Sequence, residues 1–278
     1  MIATSGDPRV RLAHHCLGTV EITPDPLLPP RVVRLVADGG RHFIAKQHAQ
    51  RDRYAGELRA YETWGTHLTG HAPKLVGRDD ATFTLLLTAL AGDRADSVAP
   101  GSAQEELAHR EAGHVLGKLH RATLMPQGGA VGAALAARFR SWIDLAVHAD
   151  LIDATEENLL EHHAAILGTS QMDSAVCHLD YQPRNWLLGD TFGICDFEHM
   201  RRDARVRDFA RLDFRRWQAA PHLRAAFFEG YGRPPNDAER RLLESFGAIE
   251  AATALVKGHQ ENDPALSAHG RTVLSRLI

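Results

Sequence analysis

The residues predict an α+β chain in two parts: an antiparallel sheet with one main helix over residues 1–90, then a mostly helical portion over residues 91–278. Three observations carry this. Short alternating apolar runs fill the first ninety residues, and Ala37-Asp38-Gly39-Gly40 separates two of them. Asp-Gly between such runs is a strong hairpin signal. One long stretch of helical period interrupts those runs, and beyond residue 100 most apolar residues recur at three- and four-residue steps.

Taken in order, Leu17 to Ile22 alternates as a strand does, and Thr23 to Pro30, with its four prolines, reads as an irregular loop. Arg31 to Val36 and Arg41 to Lys46 form the predicted hairpin, so Lys46 closes the third strand. A helix from Asp52 to Leu68 follows, with Tyr54, Leu58, Tyr61, Trp64 and Leu68 on one face. Lys74 to Val76 and Ala81 to Thr88 give two more strands; the second is mostly apolar, so both its faces should be buried. Ala89-Leu-Ala-Gly-Asp93 then links the two parts.

A long helix carries Leu107, Val115, Leu116 and Leu119. Inside it, Gly113-His-Val-Leu-Gly117-Lys118-Leu119 superficially suggests a phosphate-binding loop, but the glycines stand one residue too close and Leu119 replaces the required Ser or Thr. His120 is expected to pack and hydrogen-bond internally. Residues 126–134, rich in Gly and Ala, read as a loop. Two helices over 136–167 carry Asp144, Asp150, Asp153, Glu156, Glu157 and Glu161, a run of charge that usually marks a solvated face. Helices again fill 215–278.

Apolar residues make up 44% of the 278, ample for a buried core, and the formal net charge of −3 argues against a nucleic-acid binder relying on bulk electrostatics. Only Lys46, Lys74, Lys118 and Lys257 are lysines among 32 basic residues. Cys16, Cys177 and Cys195 form no C-x-x-C pair or disulfide framework, and the paired histidines, His14-His15 and His162-His163, lack zinc spacing. No apolar run reaches membrane-spanning length and Met1 to Pro8 is no secretion signal. A cytoplasmic location, with no membrane partner and a monomeric or weakly dimeric state, is therefore expected.

The chemistry concentrates in residues 176–198. His178, Asp180 and Asn185 stand at H-x-D-x-x-x-x-N, and eleven residues beyond Asn185 comes Asp196-Phe197-Glu198. Phosphoryl transfer needs a carboxylate to take the hydroxyl proton and oxygen ligands to hold Mg²⁺ against the phosphates. Asp180 suits the first task, Asn185 with Asp196 the second. Reading Asp180 and Asn185 as turn formers around Pro183, and Asp196 as a strand-end cap, leaves their paired spacing unexplained.

These motifs resemble those of the aminoglycoside phosphotransferases and related kinase-like small-molecule phosphotransferases, written H-G-D-x-x-x-x-N and I-D-[FW]-E, with Leu179 where that family mostly has Gly. The resemblance implies a two-lobed protein-kinase-like fold and O-phosphorylation, by ATP or GTP with Mg²⁺, of a small hydroxylated acceptor, in the first place an antibiotic. A metabolite kinase of choline, sugar or hydroxy amino acid type shares every motif, and an inactive nucleotide-binding scaffold is the third reading. It further implies that Lys46 holds the α and β phosphates, steered by Glu57, with Glu62 the alternative, and that His178 braces the catalytic loop. Asp208, in Asp208-Phe-Ala, would cap a helix and bond back to that loop. Arg184 could touch the acceptor or γ-phosphate. Glu250, Glu261 and Asp263 are candidates for the acceptor pocket, and the acidic residues after 136 suggest a cationic acceptor. Twelve residues from Asp196 to Asp208, without A-P-E, favour a small acceptor over a peptide.

Overall fold

A computed structural model describes residues 6–126 and 129–278. The first described element is helix α1 (Pro8–Leu17), where the sequence suggested a strand from Leu17. Its signals are present in the sequence: Asp7 accepts a bond from the Arg9 N–H, Pro8 opens the first turn, and Gly18 ends the helix at φ 81°. The first strand, β1 (Val20–Thr23), therefore starts three residues later than expected.

Strands β2 (Val32–Ala37) and β3 (Arg41–Gln47) form the hairpin about Asp38-Gly39, with Ala37 opposite Arg41 and Val32 opposite Lys46. Helix α2 (Arg51–Trp64) continues as a tight turn to Leu68, and β4 (Leu75–Asp79) and β5 (Thr84–Thr88) complete an antiparallel sheet of order β1-β2-β3-β5-β4. The two-residue side-chain period decides what each face meets. Leu86, Phe43 and Ala45 pack with Leu12 and Ala13 of α1, whereas Leu85 and Leu87 join Tyr54 and Tyr61 of α2 in the main core. The sheet thus carries a helix on each face. That is why the middle of β5, Leu85, Leu86 and Leu87, is apolar, and α1 adds a short second helix to the one main helix, α2, that the sequence predicts.

After the link, β6 (Asp93–Arg94) leads into α3 (Ala103–Thr123), α4 (Gly129–His148) and α5 (Ala154–Thr169). Of the loop expected over 126–134, residues 127 and 128 lie outside the described residues and 129–134 belong to α4. The site segment supplies β7 (Ser174–Cys177), β8 (Trp186–Leu188), β9 (Gly193–Ile194) and β10 (Arg201–Ala204). Helix α6 (Arg207–Leu212), a π turn over Asp213–Trp217, α7 (Pro221–Tyr231), α8 (Asp237–Gln260) and α9 (Pro264–Leu274) close the lobe.

The glycine pair of α3 has a packing task. A Cβ on Gly113 would strike the Phe227 carbonyl of α7, one on Gly117 the Tyr231 backbone, and one on Gly230 the Arg110 carbonyl. Glycine lets α3 and α7 touch backbone to backbone. No helix among the described residues is long and apolar enough to cross a membrane.

Candidate active site

Lys46 lies on the β3 face opposite Phe43 and Ala45, and so turns toward α2. Its Nζ stands 2.7 Å from Glu57 Oε2, 2.5 Å from Asp196 Oδ1 and 3.3 Å from Glu198 Oε2. Glu57, not Glu62, faces the lysine; Glu62 pairs with Arg78 at 2.7 Å on the surface. Glu57 also reaches the Phe197 N–H at 3.3 Å, tying α2 to the second motif. Burial works against the Lys46 charge, but Glu57 and then Asp196 outweigh it and hold the ammonium above its ordinary pKa. For Glu57 and for Asp196, burial likewise opposes ionisation and Lys46 overcomes it, so both carboxyls sit below their usual range.

The catalytic loop leaves β7 through a strained backbone. Leu179 adopts φ 64° and Asp196 φ 69°, the left-handed region that costs a non-glycine residue about 1–2 kcal/mol. This accounts for glycine as the usual resident at position 179. Asp208 holds the strained turn: its carboxylate accepts from the His178 N–H at 2.8 Å and the Leu179 N–H at 2.6 Å, and from His120 Nε2 at 3.1 Å. Because Asp208 lies inside α6, where no side chain caps the helix, the expected cap is absent, while the expected bond back to the loop is present. Its partner His120 reaches the Tyr231 hydroxyl at 3.0 Å. Burial keeps His178 neutral, below its ordinary pKa. Its Nε2 donates to the Cys195 carbonyl at 3.0 Å, and its Nδ1 accepts from the Asp180 N–H at 3.3 Å. The Cys195 N–H in turn donates to the Asn185 carbonyl at 3.0 Å. Loop and hairpin are thereby one bonded unit.

Asp180 is buried, and its Oδ2 accepts from Asn185 Nδ2 at 2.8 Å and Arg184 at 2.8 Å; Oδ1 accepts from Gln182 Nε2 at 2.6 Å and from Arg211. Asn185 Nδ2 also bonds the Asp180 carbonyl at 2.9 Å, which leaves Oδ1 as the free end of its amide. A cleft of about 570 Å³ opens beside this group. Val32, Ile44, Leu87 and Leu187 line it with apolar surface, and Lys46, Asn185, Asp196 and Arg184 form its polar side. Gly92, at φ 109°, shapes the far rim where the two parts join; a side chain there would collide with Leu188.

The structure thus brings Lys46, Glu57 and Asp196 into one ion-paired group, and Asp180 and Asn185 into another bonded to it through Cys195. None of the three expected acceptor residues lines this cleft. Glu250 pairs with Arg215 and His269, Asp263 caps α9, and Glu261 is exposed. Sequence reading missed His48, whose Nε2 lies 2.9 Å from Glu57 Oε2, and gave Glu198 no role. Both stand two residues beyond an identified residue, a spacing that could have found them. Arg211 carried no comparable signal.

A two-lobed protein-kinase-like fold, with a strand lysine paired to a helix glutamate and an H-x-D-x-x-x-x-N loop beneath the cleft, defines a kinase-type phosphotransferase. Within that class the chain belongs to the phosphotransferase enzyme family (APH), whose model matches residues 28–243. No curated protein matches by sequence. Among solved structures, the GDP and kanamycin complex of APH(2")-IIia is 14% identical, with 96% of this chain and 97% of that chain covered at a TM-score of 0.65. Macrolide 2'-phosphotransferase MphH from Brachybacterium faecium is 18% identical, covering 92% and 91% at 0.63. A choline/ethanolamine kinase family protein from Mesorhizobium loti is 17% identical, covering 97% and 92% at 0.65. At these identities the likeness is one of fold.

Proposed function

We propose that this chain transfers the γ-phosphoryl group of ATP or GTP to a hydroxyl of a small molecule. The observation that carries the reading is the Lys46 ammonium clamped between Glu57 and Asp196 on the polar side of a cleft that also holds Asn185. The apolar wall of that cleft suits a purine, and a mobile point charge suits phosphate oxygens. In the reaction the acceptor oxygen bonds to the γ-phosphorus as the bond to the bridging oxygen breaks. Asp180 orients the hydroxyl and takes its proton. Lys46 steadies the α and β phosphates, and Glu57 keeps it aimed.

The donor set fits a magnesium ion, since Asn185 Oδ1 and the Asp196 carboxylate are hard oxygen ligands on one side of the cleft. When bound, the ion would neutralise charge on the phosphate oxygens. Three free thiols, Cys16, Cys177 and Cys195, suit a reducing cytoplasm.

For the acceptor, the kanamycin complex and the macrolide enzyme support an antibiotic, in resistance or self-protection, and the choline/ethanolamine kinase relative supports a metabolite. Nucleoside diphosphate release measured over both kinds of acceptor, beside the drug susceptibility of cells expressing the protein, separates these readings. Failure to bind any nucleotide would remove the proposal.

A further inference from the structure

Resting on the phosphotransferase reading and deepening it by one step, the geometry around Asp180 points to an acceptor that carries an anionic group, held by Arg211. Two guanidiniums bond the two oxygens of the Asp180 carboxylate, Arg184 on Oδ2 and Arg211 on Oδ1. Only Arg184 lines the nucleotide cleft. Arg211, on α6, does not line that cleft and has Glu250 and Arg215 as charged neighbours, with its side chain about one third exposed (34%).

A carboxylate bonded by two arginines is a poor base, because each bond favours its ionised form over the protonated one. Each guanidinium that loosens makes Asp180 a better base toward a hydroxyl proton. An arginine leaves a buried carboxylate most readily when another anion receives it, and a planar carboxylate or a phosphate matches its fork. For Arg184 that anion is available in the donor's phosphates. Arg211 lacks that access, so its anion comes with the acceptor.

The charges nearby agree. Glu250, which the sequence offered as an acceptor residue, is engaged by Arg215 at 2.7 Å and by His269 Nε2 at 3.1 Å. Arg184, Arg211 and Arg215 therefore face Asp180 and Glu250, three cations to two anions. Burial holds Arg211 below the ordinary arginine pKa, with Glu250 pulling the other way and Arg215 adding a smaller push in the same direction as burial. The acidic residues that suggested a cationic acceptor are partly committed elsewhere: Asp153 caps α5, Glu156 pairs with Arg271 and Glu161 with Arg140.

The test uses the full chain and matched acceptors: glycerate against glyceramide and gluconate against glucamine, with kanamycin and choline as cations. Nucleoside diphosphate release and calorimetric binding are both read. The carboxylate member of each pair should be preferred. Arg211→Gln should raise its KM by about tenfold or more, the scale of one charge-assisted hydrogen bond, and erase the preference. Arg211→Lys should keep part of it, and the nucleotide KM should not move. Preference for amides or cations in the unaltered protein overturns the inference and leaves the phosphotransferase standing. So does a rise in nucleotide KM in Arg211→Gln with every acceptor, which would make the donor's phosphate the ligand. Absence of nucleotide binding sinks the enzymatic reading, yet carboxylate binding that Arg211→Gln abolishes would still uphold the anion site. Binding of none of the carboxylates overturns it.

Discussion

The two sides of the site are built with opposite charge. Around Lys46 three carboxylates, Glu57, Asp196 and Glu198, converge on one ammonium, with Arg31 3.5 Å from Glu198. Around Asp180 the arginines are in excess. The difference teaches what each side awaits. An acid-rich pocket becomes complementary to a triphosphate only with a divalent cation present, whereas an arginine-rich one is ready for an anion directly.

The sharpest way to break this comparison is to remove the carboxylate between the two sides. Asp180→Ala should cut turnover by about 10²- to 10⁴-fold, the range for general-base catalysis, while nucleotide affinity stays nearly unchanged. Full activity in single-turnover assays would dismiss Asp180 as the base.

Next in size is the acid-rich side. Lys46→Met leaves buried carboxylates without their cation and should cost about 3–5 kcal/mol in urea unfolding, besides weakening nucleotide binding. Pairing it with Glu57→Gln should recover part of that loss. A double variant no more stable than the single one would show that Glu57 and Lys46 do not act as a pair.

A pH experiment addresses the arginine-rich side. His269 and Arg215 overcome the cost of burial and hold the Glu250 carboxyl down to about 2, against an ordinary 4.5. A depressed carboxyl stabilises the fold above its unfolded value, and that stabilisation disappears as pH falls through the folded one. Glu250 should thus contribute up to about 3 kcal/mol at pH 6. The stability gap between the unaltered protein and Glu250→Gln should shrink as pH drops from about 4.5 toward 2. A gap constant across that window contradicts the assignment.

The smallest effect tests the strained loop that both sides share. Leu179→Gly should change stability by no more than about 1 kcal/mol, because relief of the positive φ offsets lost contacts, whereas Leu179→Val should destabilise by about 1–2 kcal/mol. Equal melting temperatures for the two variants would mean that backbone strain is negligible there.

Much of this was legible in residue order because the signals are local. The Asp38-Gly39 turn, the unbroken apolar run of β5 and the spacing from His178 to Asp196 each act within a few residues. One local signal is a decoy that its own spacing excludes: Gly113 and Gly117 imitate a phosphate loop, and the close approach of α7 reveals their use. Helix α1 is readable from Asp7-Pro8 and Gly18, and without it the sheet appears covered on one face only.

By itself, then, the sequence determined the order of strands and helices and the residue types available for chemistry, since propensity, period and turn chemistry are properties of neighbours. Tertiary structure alone decided several of the partners they meet: His48 beside Glu57, His120 on Asp208, and Arg211 on Asp180 across thirty-one residues of chain. The reason is physical. An ion pair forms where packing brings two charges within a few ångströms and excludes water, and no spacing along the chain encodes that distance.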